Sequence, residues 1–212
     1  MFFCISHPSF ANTFLNQNGP ILILGDSMTK GDYGRNLHQM LAEKTGRLVM
    51  SIGIGGAGSA DYLRTEIENN CCGYVIRESA PYGSIVTVED SNVLDHAIVG
   101  KVFHGNLREM LVTIRPSSVL IVLGTNQKNA HEKLIDEIRS VLPDSVIAWA
   151  GPPLLSTSPR IYRDLESSLE GKGVQLIRCD LFERLGDPNE TMLHYAGQQA
   201  SLLAEDTLYQ LK

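Results

Sequence analysis

Three side chains that can carry acyl-transfer chemistry stand at comparable points of the sequence. Ser27 and Asn126 each follow an apolar run and a glycine, and His194 comes just before the last amphipathic stretch. A hydroxyl, an amide donor and an imidazole are the parts of a site in which a nucleophile attacks a carbonyl carbon and the oxyanion is stabilised. Because each of these residues alone is more often a turn or cap residue, the hypothesis depends on a fold that brings them together.

The elements that must position these side chains alternate along the chain. Continuous apolar strands separated by helices are buried on both faces, which favours a parallel sheet between two helix layers. In such a sheet, functional groups gather at the carboxyl ends of the strands. The sequence therefore predicts a three-layer α/β/α fold with a mostly parallel five-stranded sheet. The predicted strands are 21–24, 48–52, 119–123, 146–150 and 174–177, and the predicted helices are 33–45, 59–68, 131–142, 158–169 and 196–211.

Residues 70–100 depart from this alternation. Two short apolar runs, 72–76 and 84–88, flank a Pro-Tyr-Gly turn at 81–83, which predicts an inserted hairpin and loop. We expect a single domain over 21–212, preceded by an N-terminal extension over residues 1–20.

The composition restricts the class of protein and its partners. Of 212 residues, 43% are hydrophobic and 20% are charged, which is typical of a globular domain. The net charge of -6, with no basic cluster, argues against nucleic acid as a partner. No apolar run approaches the roughly 18 residues of a membrane helix. Because residues 1–20 have no basic region followed by an apolar one, we also expect no secretory signal and synthesis in the cytoplasm.

The cysteines indicate neither a metal site nor a disulfide framework. Cys4, Cys71, Cys72 and Cys179 have no metal-ligand spacing, so we expect reduced thiols, no metal and no cofactor. The remaining histidines also lack ligand spacing and are interpreted as surface or loop residues: His7, His38, His96, His104 and His131.

In order and spacing, the motifs resemble those of the SGNH (GDSL-type) hydrolase family. Gly25-Asp26-Ser27 follows the first strand, a glycine-rich segment at 53–58 follows the second, and Gly124-Thr125-Asn126 follows the third long strand. His194 then precedes the final helix, so the resemblance spans residues 21–200. It implies a flavodoxin-like fold and a serine esterase that hydrolyses a small acyl ester, such as acetyl on a carbohydrate, without a cofactor.

The resemblance also implies a role for each residue that matches a motif. Ser27 would be the nucleophile and His194 the general base. The oxyanion hole would consist of the backbone N–H groups of Ser27 and Gly56 and the side-chain amide of Asn126. Glycine suits position 56 because the backbone must approach the oxyanion closely.

One position departs from the family pattern. The family has an aspartate three residues before the histidine, and here that position is Thr191. Thr191 can orient the His194 ring by accepting a hydrogen bond, but it cannot stabilise the imidazolium by charge. Glu190 and Asp187 are nearby carboxylates that could do so from another direction. A Ser-His dyad and a triad with a displaced acid therefore both remain open.

Two alternatives compete with the esterase hypothesis. A degenerate member of the fold could bind a glycan without turnover, which the missing aspartate favours. The segment 53–58 also satisfies the G-x-G-x-x-G pattern of dinucleotide-binding proteins, with Glu78 about twenty residues further on.

Overall fold

A computed structural model of the protein describes residues 13–65, 67, 72–79, 85–90, 105–126, 129–153, 158–181 and 195–212. Within these ranges, seven strands form one sheet: β1 (Ile21–Gly25), β2 (Val49–Ile54), β3 (Tyr74–Ser79), β4 (Ile85–Asp90), β5 (Ser118–Val122), β6 (Val146–Ala150) and β7 (Val174–Ile177). The same ranges hold six α-helices: α1 (Ser27–Lys30), α2 (Asp32–Thr45), α3 (Leu107–Ile114), α4 (His131–Val141), α5 (Ser158–Leu169) and α6 (Gly197–Gln210).

The sheet has the strand order β4-β3-β2-β1-β5-β6-β7. The five strands from β2 to β7 in this order run parallel, as predicted, and β3 and β4 run antiparallel beside β2. Helices α3, α4 and α5 cover one face, and α1, α2 and α6 cover the other. The predicted three-layer α/β fold is confirmed, and the hairpin raises the strand count from five to seven.

The strands follow from continuous apolar runs that have a core on both sides. Ile21 and Ile23 of β1 pack into the core under α2 and α6, whereas Leu22 and Leu24 pack into the core under α3 and α4. Every residue of β1 and β5 is buried. Because side chains alternate between the faces of a strand, a run without polar residues can fill both cores.

The predicted hairpin is present and continues the sheet. Six residues of β2 pair with β3, and six of β3 pair with β4. Cys72, just before β3, is disulfide-bonded, so the expectation of reduced thiols is wrong for this residue. Cys179 is a free, buried cysteine, and burial raises the pKa of its thiol to about 12.

The region after β2 differs from the prediction of a helix over 59–68. Its described residues hold only a 3-10 helix, Asp61–Leu63, before the chain returns antiparallel along β3. An antiparallel return needs no helical crossover. The dinucleotide interpretation is therefore wrong, because that motif requires a βαβ unit with the glycines at a helix N-terminus, and Glu78 lies on antiparallel β3.

Residues 13–20 pack against the amino ends of the strands. Phe14 is fully buried in the core under α2 and α6. Arg47, only 7% exposed, binds this segment to the sheet. Its guanidinium donates to five oxygen atoms: Phe14 O, Gly19 O, Pro20 O, Ser117 Oγ and Ser118 Oγ.

No α-helix in the described ranges is long and apolar enough to cross a bilayer. The described side chains likewise contain no group of three or more histidines, cysteines or carboxylates that could hold a metal ion.

Candidate active site

The loops that carry three of the candidate residues leave the sheet side by side. Gly25 at the end of β1 pairs with Gly53 of β2 and with Val122 at the end of β5. The loops that follow carry Ser27, Gly56 and Asn126. Parallel strands thus bring segments about 30 and 100 residues apart to one edge of the sheet, as the general rule for such sheets leads us to expect.

Ser27 is the first residue of α1, a helix of only four residues. The side chain is partly exposed, and its hydroxyl has no hydrogen-bond partner among the described residues. Its backbone N–H lies in the first turn, where a helix offers no internal acceptor. Neither polar hydrogen of Ser27 therefore has an acceptor among the residues that the structure describes.

Asp26 connects the first and third motifs, a role that the sequence analysis missed. Its carboxylate is buried and accepts hydrogen bonds from Met28 N at 2.9 Å, from Thr125 Oγ1, and from Asn126 Nδ2 at 3.3 Å. The first bond caps α1 at its start. The other two attach the loop after β5 to the Ser27 turn. The signal in the sequence was a carboxylate in one motif and two donors in another.

Asn126 connects the third motif to the second. Its amide nitrogen donates to the carbonyl oxygen of Ala57 at 2.8 Å, in addition to the longer bond to Asp26. An amide NH2 group has two hydrogens, so both are in use in this structure. The side chain therefore joins the loops after β1, β2 and β5.

Gly56 occupies a conformation that side chains disfavour. Its φ is 73°, in a turn closed by Ala57 N donating to Ile54 O at 3.1 Å. The backbone N–H of Gly56 makes no hydrogen bond to any described residue, and the residue is partly exposed. Gly124 in the third motif is constrained in the same way, with a φ of 143° and Pro152 Cδ only 2.9 Å from where a Cβ would lie.

Tyr62 holds the end of β1 just before the Ser27 turn, and it is a second residue that the sequence analysis did not identify. Its buried hydroxyl donates to Gly25 O at 2.7 Å and accepts from Gly25 N at 3.1 Å. It also lies 3.2 Å from Ile52 O. Burial raises the pKa of this phenol well above its usual value, so it stays protonated as a donor. The ends of β1 and β2 are thereby held together just before the chain reaches Ser27.

Close packing without intervening side chains fixes α1 on the sheet. A Cβ at Gly25 would lie 1.9 Å from Thr29 Oγ1, and one at Gly34 would lie 2.0 Å from Thr29 O. A Cβ at Gly53 would lie 2.3 Å from Lys30 N. At Gly34 and Gly53 the backbone of α1 occupies the space of a side chain, and at Gly25 the Thr29 side chain and the Val122 carbonyl oxygen occupy it.

Two other serines bind histidines, and both pairs are buried. Ser59 Oγ accepts from Ala130 N at 2.6 Å and lies 3.1 Å from His131 Nδ1, and Ser51 Oγ lies 2.9 Å from His38 Nδ1. His38 and His131 are buried, so their interpretation as surface or loop residues is wrong.

The buried histidines are held in the neutral form. Burial lowers the pKa of both, and the nearby Arg77 guanidinium also lowers that of His38, to about 4. Burial also prevents Ser51 and Ser59 from reaching a substrate, since each is 1% exposed or less.

The candidate base lies outside the described residues. This holds for His194 and for the three residues considered as its orienting partner, Thr191, Glu190 and Asp187. The described part of the candidate site is therefore the part that holds Ser27, Gly56 and Asn126.

Comparison with sequences gives no relative. No protein-family model matches the chain, and no curated protein matches it.

Comparison with solved structures gives distant matches. A carbohydrate esterase family 2 enzyme with a carbohydrate-binding domain from Corynascus thermopiles (Myceliophthora fergusii) has a TM-score of 0.51 and 14% identity, over 92% of this chain and 66% of that chain. A family two carbohydrate esterase from Clostridium thermocellum, in complex with cellohexaose, has a TM-score of 0.49 and 18% identity, over 91% and 63%. A DUF4886 family protein from Bacteroides uniformis has a TM-score of 0.46 and 14% identity, over 76% and 67%.

Of these three matches, one has a TM-score above 0.5. The chain spans less than two thirds of the length of either carbohydrate esterase. At 14% identity and a TM-score of 0.51, the likeness to the Corynascus enzyme establishes one thing, that the two proteins share the three-layer α/β fold.

Proposed function

We propose that the protein is a serine esterase that hydrolyses a small acyl ester, such as acetyl on a carbohydrate. The observation that carries the proposal is the Ser27 hydroxyl, which lacks a partner among the described residues. Its loop is hydrogen-bonded to the loop of Asn126, which in turn is bonded to the loop of Gly56. A serine used only as a cap or in a turn has its hydroxyl bonded to nearby backbone. Here Asp26 makes the capping bond instead.

In the proposed reaction, Ser27 Oγ attacks the ester carbonyl carbon while His194 takes the hydroxyl proton. The tetrahedral intermediate collapses, the bond to the alcohol oxygen breaks, and His194 gives its proton to the leaving alcohol. Water then attacks the acyl-enzyme with His194 as base, which releases the carboxylic acid and restores Ser27. The net reaction consumes one water and needs no metal or cofactor.

The proposed oxyanion hole uses the Ser27 and Gly56 N–H groups and the Asn126 amide. The two backbone groups have no acceptor among the described residues, which supports the assignment. The Asn126 amide is occupied, but its bond to Asp26 is long, at 3.3 Å, against 2.8 Å to Ala57 O. We expect the oxyanion to take the hydrogen of the weaker bond. The bond to Ala57 would then keep the amide in place.

The orientation of His194 is the part of the mechanism with alternatives. In a dyad, Thr191 or a backbone carbonyl orients the ring, and in a triad Glu190 or Asp187 supplies a carboxylate. A carboxylate partner raises the imidazole pKa, so Asp187→Asn or Glu190→Gln would lower both the rate and the pKa in the kcat/KM profile. An unchanged profile in both variants favours the dyad, for which Thr191→Asp would raise activity.

The substrate part of the proposal comes from the resemblance to the SGNH family. The comparison with the Corynascus protein, which is described as a carbohydrate esterase, supports it. A second candidate function is glycan binding without turnover, favoured by Thr191 in place of the aspartate of the motif.

The decisive experiment separates these two functions. A fluorophosphonate should label Ser27, located by mass spectrometry, because such reagents report a serine activated by a base. Turnover of p-nitrophenyl acetate should be lost in Ser27→Ala and kept in Ser51→Ala, which alters a buried serine. A parent protein with neither labelling nor turnover would leave glycan binding as the better explanation. Labelling of another serine would remove Ser27 as the nucleophile.

A further inference from the structure

The first strand of the hairpin, β3, carries an arginine that contacts the helix of the candidate site. Arg77 lies on β3, directly across from Ser51 of β2, and is 3% exposed. Its guanidinium donates to Thr29 O at 2.6 Å and to Lys30 O at 2.5 Å. These carbonyls belong to the last two residues of α1, the helix that begins with Ser27.

A helix of four residues cannot hold its own conformation, because nucleation is unfavourable and one turn gains few hydrogen bonds. Asp26 satisfies a donor at the start of α1, and Arg77 satisfies two acceptors at its end. The charges of Asp26 and Arg77 are also favourable, since an anion at the start and a cation at the end complement the helix dipole.

The same segment also holds the loop that carries Gly56. Gly73 O accepts from Gly55 N at 2.9 Å, and Cys72 O accepts from Lys30 Nζ at 2.8 Å. Residues 72–77 thus contact the Ser27 helix and the Gly56 loop at once. The distance between these two elements sets how far the proposed nucleophile lies from the proposed oxyanion donors. An error of about 1 Å in such a distance can lower the rate about 100-fold.

We propose that Arg77 is a positioning residue, which fixes the Ser27 helix relative to the Gly56 loop without touching the substrate. This inference rests on the proposed function, and it gives the hairpin a catalytic purpose. The hairpin then does more than extend the sheet, because its first strand supplies the Arg77 guanidinium that binds the end of α1.

Arg47 provides a matched control. It is also a buried arginine that donates to backbone carbonyls, but it lies at the amino ends of the strands, away from Ser27. Loss of either guanidinium removes hydrogen bonds to backbone carbonyls, so Arg47→Met and Arg77→Met should both lower the unfolding temperature. Only Arg77→Met should change the position of Ser27 relative to the Gly56 loop.

The kinetic test compares the folded variants with p-nitrophenyl acetate and a fluorophosphonate. Arg77→Met should lower kcat about 10- to 100-fold with little change in KM, and should slow labelling of Ser27 by a similar factor. Arg77→Lys, which keeps a cation and donors, should recover part of the loss. Arg47→Met should retain the parental kcat. If Arg77→Met loses no more kcat than Arg47→Met, the positioning role is wrong.

Hydrogen exchange tests the inference without relying on turnover. Arg77→Lys and Arg77→Met should speed exchange of the amides of residues 28–31, with no change in α4 on the opposite face of the sheet. Unchanged exchange at 28–31 would overturn the proposal. A parent protein with no turnover and no Ser27 adduct would instead overturn the proposed esterase function, and the exchange result would still decide the role of Arg77.

Discussion

Ser27 and Ser59 follow neighbouring strands of the same sheet, yet the structure uses them in opposite ways. Ser59 is buried, accepts from Ala130 N and pairs with His131 Nδ1. Ser27 is partly exposed, and its hydroxyl has no partner in the described part of the chain. The serine that already has a histidine is thus the structural one. A Ser-His contact alone does not identify a nucleophile, because the hydroxyl must also be reachable.

The largest expected effect comes from removing the exposed hydroxyl. Ser27→Ala should lower kcat by at least about 1000-fold, because no covalent intermediate can form. The unfolding temperature should be nearly that of the parent, since the deleted oxygen makes no described hydrogen bond. Steady-state kinetics and thermal unfolding measure the two quantities. A variant that keeps its activity would remove Ser27 from the mechanism.

Asn126 tests whether the loops around Ser27 also stabilise the transition state. Asn126→Ala should lower kcat by about 100- to 1000-fold, with a much smaller change in KM, because an oxyanion donor acts on the transition state. Thr125→Val is the matched variant, because it removes another donor to Asp26 and spares the amide. Equal losses in the two variants would show that Asn126 acts only by holding Asp26.

The buried histidines should make the fold sensitive to acid. The pKa of His38 is about 4 in the folded chain, below the ordinary value of about 6.5 expected after unfolding. The unfolded state therefore binds more protons between these values, and the free energy of unfolding falls by about 3 kcal/mol as the pH drops from 7 to 4. His131 adds an effect in the same direction.

Urea unfolding at a series of pH values measures this acid dependence. His38→Gln should reduce the slope between pH 6.5 and pH 4, whereas a variant at the distant Arg108, such as Arg108→Gln, should keep it. An identical slope in His38→Gln would show that other groups cause the loss.

The smallest effect is expected at the partnered serine. Ser59→Ala leaves the Ala130 N–H and the His131 ring without their shared partner, which should cost about 1–3 kcal/mol of unfolding free energy. Activity per folded molecule should fall far less than in Ser27→Ala. A loss of activity as large as that in Ser27→Ala would mean that Ser59 also shapes the site.

The parts of the fold that sequence could predict are those with a local pattern. The five parallel strands are runs of apolar residues, and the hairpin has two such runs around a turn. The helix predicted over 59–68 shows the limit of this approach. Apolar residues there have helical spacing, but the antiparallel return of β3 leaves no need for a crossover.

The residues that support the site had no local pattern to reveal them. Asp26 meets Thr125 across 99 residues of sequence, and Tyr62 meets Gly25 across 37. Arg77 meets Thr29 across 48 residues, from a strand whose register decides which face its side chain takes. Such contacts follow from strand pairing, which local periodicity does not determine.

The arginine that binds residues 13–20 has a practical consequence for shortening the chain. A version that begins at residue 21 would delete Phe14 and three of the carbonyls that accept from Arg47, those of Phe14, Gly19 and Pro20. A guanidinium with few acceptors cannot stay buried without a large cost, so the amino ends of β1 and β5 would have to open to water. A trimmed protein should therefore begin before Thr13, even though the first predicted strand starts at Ile21.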